Sequence, residues 1–152
     1  MPYTVGEMAK LLGVAPSTLR YYDKEGLLPF VKRTDGGIRV FADEDYEWLK
    51  TIECMKKTGM PLRDIREYVK MAMRGDETLT KRLEMIRRQR ESVEKQLAEL
   101  REMADTLDFK CWYYETALRA GSAAVPRGMT DDEIPPRFVE VRRKLKNKEL
   151  TE

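Results

Sequence analysis

The chain has 152 residues, with 29 Lys and Arg against 27 Asp and Glu, no His and two Cys. That length suits one compact domain with a helical extension, and a net charge of +2 gives no global pull toward nucleic acid. Without His and with two Cys, neither a four-ligand zinc site nor histidine acid–base chemistry is expected. No apolar run reaches membrane-spanning length and no leader-like segment opens the chain, so the expectation is a reduced, cytoplasmic, helical protein with no membrane contact.

Thr4, with Glu7 three positions on, predicts a capping box at the start of a first helix that runs to Leu12 and stops at Gly13. Pro16 suits the first position of a second helix, ending near Lys24, before Gly26. Pro29 breaks the chain. The basic stretch Lys32-Arg33-Thr34-Asp35-Gly36-Gly37-Ile38-Arg39-Val40-Phe41 then predicts a tight hairpin, with Asp35-Gly36-Gly37 supplying its positive-φ residues. Asp43 is expected to cap a third helix to about Thr58, with Tyr46, Leu49, Ile52 and Met55 on one face and Gly59 as its stop. Pro61 opens a fourth helix carrying Leu62, Ile65, Tyr68 and Val69, and Gly75-Asp76 reads as a break.

From Leu79 the apolar spacing alternates between four and three: Leu79, Leu83, Ile86, Arg90, Val93, Leu97, Leu100, Ala104, Leu107, Cys111, Tyr114 and Leu118. This is a coiled-coil seam. Its apolar stripe is narrow, so self-association is the economical way to bury it, and Arg90 is a costly seam residue unless paired. After Gly121 the chain turns irregular, then ends in a basic segment, Phe138 to Lys146, that reads as a short helix. The predicted organisation is a reading domain over 1–75, a coiled-coil dimerisation helix over 76–119 and a tail over 120–152. The fold class is mainly α with one small β-hairpin.

Helix, Gly-containing turn, helix and a two-stranded wing is the layout of a winged helix-turn-helix. A recognition helix needs short polar and basic side chains aimed at base edges, with longer donors on phosphate. Ser17, Thr18, Arg20 and Tyr21 are placed for this, since 17, 20 and 21 share a face while Leu19 turns inward. Tyr22 offers a ring for the core and a hydroxyl for phosphate. Arg33 and Arg39 flank the wing's turn, Thr4 stands at a helix start as cap or phosphate contact, and Lys57 precedes another helix start.

Tyr3-Thr4-Val5-Gly6-Glu7, Leu19-Arg20-Tyr21-Tyr22, Gly26-Leu27-Leu28-Pro29, Gly37 with Arg39 and Phe41, and Gly59-Met60 are ordered and collinear over the first half of the chain. This set resembles the DNA-binding domain of the MerR family of transcription regulators. The resemblance implies DNA contact by Arg20, Tyr21 and Tyr22, a second wing at Lys57-Thr58-Gly59-Met60-Pro61, and an antiparallel pair of long helices in a homodimer. It further implies double-stranded promoter DNA and RNA polymerase as partners, with activity through promoter distortion.

Cys54 neighbours Lys50, Thr51, Lys57 and Thr58 at helical spacing, and cationic neighbours favour the reactive thiolate. A single cysteine here resembles the branch of the family that responds to aldehydes and other thiol-reactive electrophiles; the alternative is an inert, half-buried residue. Cys111 sits in the seam, where packing is its ordinary role. In the implied antiparallel dimer a residue there meets the partner's reading domain, which allows a Cys54–Cys111 contact. Metal control fits poorly, because Arg74 to Thr78 and the segment after Cys111 lack the cysteines that the family's metal-responsive members carry. No cofactor is expected. Trp112-Tyr113-Tyr114 suits core packing or a small apolar pocket. The competing function is a constitutive DNA-bending architectural protein with no effector. No nucleophile–base pair, metal cluster or phosphate-cradling loop supports an enzyme.

Overall fold

The computed structural model describes residues 2–147; the last five residues of the expected tail, 148–152, lie outside the described residues. Thr4 caps α1 (Val5–Leu12): its hydroxyl accepts the Glu7 N–H at 3.2 Å, and the Glu7 carboxylate accepts the Thr4 N–H at 2.8 Å. The carboxylate's bonds from the Thr4 N–H and the Thr4 hydroxyl hold it below its ordinary range, the backbone bond most. Gly13 ends the helix with φ 70°, in the left-handed region that glycine enters without steric cost. Pro16 is the first residue of α2 (Pro16–Lys24).

The wing is β1 (Lys32–Arg33) paired antiparallel with β2 (Arg39–Val40), Lys32 opposite Val40 and Arg33 opposite Arg39. Of the expected turn residues only Gly37 has positive φ. The turn closes instead through the Gly37 N–H to the Thr34 carbonyl at 2.8 Å and the Ile38 N–H to the Thr34 hydroxyl at 3.2 Å. One left-handed residue is enough when a side chain takes a backbone donor. A bridge between Tyr3 and Phe41 ties the chain's beginning to the end of the wing.

That bridge also changes the start of α3 (Asp43–Lys57). Asp43 is not the cap: it accepts the Tyr3 hydroxyl at 2.7 Å, and this bond lowers its carboxyl's pKa. Asp45, two residues on and buried, accepts the Ala42 N–H at 2.8 Å and closes the helix start. Gly59, at φ 96°, ends α3, and α4 (Leu62–Met73) follows from Pro61. Leu19, Tyr22, Leu27, Leu49, Ile52, Met55, Ile65 and Val69 form the core with Met8 of α1 and Phe41 after β2. Tyr46, expected on the buried face of α3, is exposed; Trp48 instead sits between Phe30 and Tyr68, ring centroids 5.9 and 6.2 Å away.

A single 3₁₀ turn (Asp76–Thr78) leads from α4 into the continuous 42-residue α5 (Leu79–Ala120). Two compact units divide at Val93/Glu94, within this helix. Of the α5 seam, Val93 is half-buried, while Leu79, Leu83, Ile86, Leu97, Leu100, Leu107, Tyr114 and Leu118 are open, from 37% exposed at Ile86 to 82% at Leu118. In the second unit α5 is joined by α6 (Ala124–Gly128) and α7 (Val139–Lys146). Phe109, Ile134 and Phe138 are buried there, and Trp112 lies against Phe109 with centroids 6.0 Å apart. Of the aromatic run, Trp112 and Tyr113 pack in this cluster and Tyr114 is exposed. Arg142 fastens α7 by donating to the Met129 carbonyl at 2.7 Å and to Asp131, whose carboxyl is thereby held below its ordinary range.

Candidate nucleic-acid interface

Helical spacing sorts α2 into two faces. Leu19 and Tyr22 turn into the core, while Ser17, Arg20 and Tyr21 are exposed and Thr18 is half-buried. Among the described residues Arg20 has no ion-pair or hydrogen-bond partner, so its donors are available to a ligand. The α2 N-cap, Ala15, supplies no side-chain acceptor to the first-turn amides. A helix start left in this condition suits an anion, because its amide protons and dipole point outward.

Tyr22 differs from its neighbours. Its ring is 1% exposed and its hydroxyl donates to the buried Glu53 of α3. Burial first, then that bond, pushes the phenol well above its ordinary pKa. The hydroxyl's one proton is therefore engaged inside the protein, and a phosphate contact would need it exchanged. Lys56 of α3 lies over both tyrosine rings, 5.1 Å from the Tyr21 centroid and 4.8 Å from that of Tyr22. Such contacts are worth about 0.5–1 kcal/mol at exposed sites, enough to bias how Tyr21 is presented. At the other end of α2, Arg66 Nε of α4 donates to the Glu25 carbonyl at 2.7 Å. α2 is thus held from α3 and α4.

The wing arginines meet α2 through Asp23. Arg33 Nη2 donates to Asp23 Oδ2 at 2.6 Å, and Arg39 Nε donates to the same oxygen at 2.7 Å. Thr4 spends its hydroxyl on Glu7 in the α1 cap. Lys57 is 74% exposed and pairs loosely with Glu53 at 3.7 Å. Cys54 is exposed, beside a groove of about 560 Å3 lined also by Lys50, Thr51, Thr58, Gln89 and Val93. Gln89 of α5 donates to the Thr58 hydroxyl there at 2.7 Å. Cys111 is exposed on α5 in the second unit. Among the described residues no three His, Cys, Asp or Glu side chains converge on a possible metal position, and no helix is long and apolar enough to cross a membrane.

Three residues that residue-type reasoning passed over, Asp23, Glu53 and Lys56, hold the expected contact residues in place. A sequence signal existed for the first: a carboxylate ending a helix just before a hairpin with an arginine on each strand. None existed for Glu53, whose burial depends on how α2 crosses α3.

Fold and surface together define a winged helix-turn-helix protein with a cationic reading face. Residues 3–72 match the family model described as MerR HTH family regulatory protein, and residues 46–108 match the one described as MerR, DNA binding. An HTH-type transcriptional regulator of Haemophilus influenzae is 42% identical over 122 residues, 80% of this chain and 90% of its own length. The crystal structure of HiNmlR, a MerR family regulator lacking the sensor domain and bound to promoter DNA, is similar with a TM-score of 0.73 at 41% identity. That match covers 82% of this chain and 99% of the other. A MerR family regulator from Bacillus thuringiensis is similar with a TM-score of 0.69 at 35% identity, over 73% of this chain and 97% of its own. The chain belongs to the MerR family: it is a DNA-binding transcription regulator and not an enzyme.

Proposed function

We propose that two copies of the chain bind a two-fold-related promoter operator, each through α2 and the β1–β2 wing, and distort the DNA between the elements that RNA polymerase contacts. The observation that carries this is the exposed Ser17/Arg20/Tyr21 face standing beside Arg33 and Arg39. Base edges would be read from Ser17, Thr18, Arg20 and Tyr21, and phosphates gripped by Arg33, Arg39, Lys57 and the α1 start at Thr4. Tyr22 serves mainly from behind, through its ring and Glu53. The stripe on α5 supports the homodimer, since residues as open as Leu97 and Leu100 require a cover. Residues 1–75 then read, 76–119 dimerise and 120–152 form the tail, and the protein works where promoter DNA is, in the cytoplasm.

Effector control would act at Cys54, which is exposed beside a groove large enough for a small electrophile; Cys111 is a second, weaker candidate. A switch needs only a few kcal/mol of difference between two DNA-bound conformations. Selection of duplexes from a random pool tests the DNA reading: the expected product is an inverted repeat with one preferred half-site spacing. Recovery of no consensus, or only generally flexible DNA, would point instead to an architectural bender. For the effector, Cys54→Ser should bind the selected duplex normally and lose the transcriptional response to formaldehyde. A full response in that variant would remove Cys54 from the account.

A further inference from the structure

Arg33 and Arg39 are directly opposite each other across the wing, where two like charges repel. Asp23, in the last turn of α2, resolves this with a single oxygen. Its Oδ2 takes Arg33 Nη2 at 2.6 Å, Arg39 Nε at 2.7 Å and a further contact from Arg39 Nη2. Arg33 is also tied through Nη1 to the Gly37 carbonyl at 3.0 Å, so the wing's turn is locked into the same arrangement. The side chains of Asp23 and Arg39 are 18% and 22% exposed and that of Arg33 is 47%: the carboxylate is sheltered by its partners while Arg33 stays open. Arg33 Nε and Arg39 Nη1 take no part in these contacts, and a guanidinium has donors enough to hold a carboxylate and a phosphate together.

A carboxylate in this place works against plain affinity, because it cancels one of two positive charges and repels phosphate. Its effect must therefore lie in geometry. We propose that Asp23 is a specificity-determining positioning residue: it fixes the wing to the recognition helix, so that Arg33 and Arg39 reach phosphate in the register where Ser17, Arg20 and Tyr21 meet base edges. This rests on the reading that α2 and the wing bind DNA.

The two effects of Asp23 have opposite signs, which makes the proposal testable. Using the duplex that the unmodified protein selects from a random pool and a scrambled duplex of equal length, affinities are measured across a salt series, with thermal unfolding in parallel. Asp23→Asn should bind the scrambled duplex severalfold more tightly at low salt, with a steeper salt dependence. Its preference for the selected duplex should fall about tenfold, the size of one misplaced base contact. Arg39→Lys keeps the charge but loses the forked contact, and should weaken binding to the selected duplex more than to the scrambled one. An equal rise on both duplexes would make Asp23 a mere charge, and an equal fall together with lost thermal stability would make it a mere fold contact; either overturns the proposal. If Arg33→Gln and Arg39→Gln left both affinities unchanged, the DNA reading of the wing would fail instead.

Discussion

In the first unit, apolar side chains such as Leu19, Ile52 and Ile65 are completely buried by their own chain, and the wing arginines and Lys57 are paired with acids of α2 and α3. Along α5 the same residue types recur with helical regularity, yet stay largely open. The first region closes its own ledger and the second does not. A winged helix-turn-helix is a three-dimensional cluster whose elements cover one another, whereas a single helix has nothing of its own to cover a stripe. Under the proposed function, the reading surface is prepared within one copy, and the spacing between two such surfaces is left to association.

Charge in the stripe breaks this contrast most directly. Leu97→Asp with Leu100→Asp should abolish dimerisation at micromolar concentration by sedimentation, while the near-ultraviolet signal of the first unit persists; loss of both would mean that the first unit depends on the dimer. Leu19→Ala tests the self-sufficient side and should destabilise the first unit by about 2–5 kcal/mol in denaturant unfolding, as expected for a fully buried leucine. Arg20→Ala touches neither core nor stripe. It should weaken operator binding by about 1–3 kcal/mol with the dimer intact, and unchanged affinity at physiological salt would move base reading elsewhere.

The smallest effect is an acid one, at the α1 cap. Glu7 is held below its ordinary value of 4.5 by the Thr4 bonds, so its contribution is complete above that value and drains away as pH falls through the lowered one. Comparing Tm between pH 6 and 3, Glu7→Gln should be less stable than the unmodified chain at the upper end and converge with it at the lower. A constant offset would show that the carboxylate's charge is not involved.

Much of this architecture was legible in the amino-acid order because its marks are local. Thr4 with Glu7, Pro16, Gly13 and Gly59 place helix ends through backbone geometry alone, and the four-three spacing from Leu79 declares α5. What escaped depends on contacts between elements. Asp43 looks like a cap until the Tyr3–Phe41 bridge brings a phenol to it, leaving Asp45 to hold the helix start. Tyr46 is exposed, and the aromatic of α3 that packs is Trp48, against Phe30 and Tyr68. At the interface, residue type and spacing pointed to the exposed face of α2, but not to the ties that hold it. Asp23 had a local mark in the arginines of the hairpin that follows it, whereas Glu53 gains meaning only once α3 is packed against α2.

The chain carries two tryptophans, and the fold has placed one in each half. Trp48 lies among Phe30 and Tyr68, and Trp112 beside Phe109 and Phe138. Replacing either indole by phenylalanine leaves a single tryptophan, and excitation at the red edge, where the seven tyrosines do not absorb, then follows melting, quenching or a ligand's arrival in one half without dye or label.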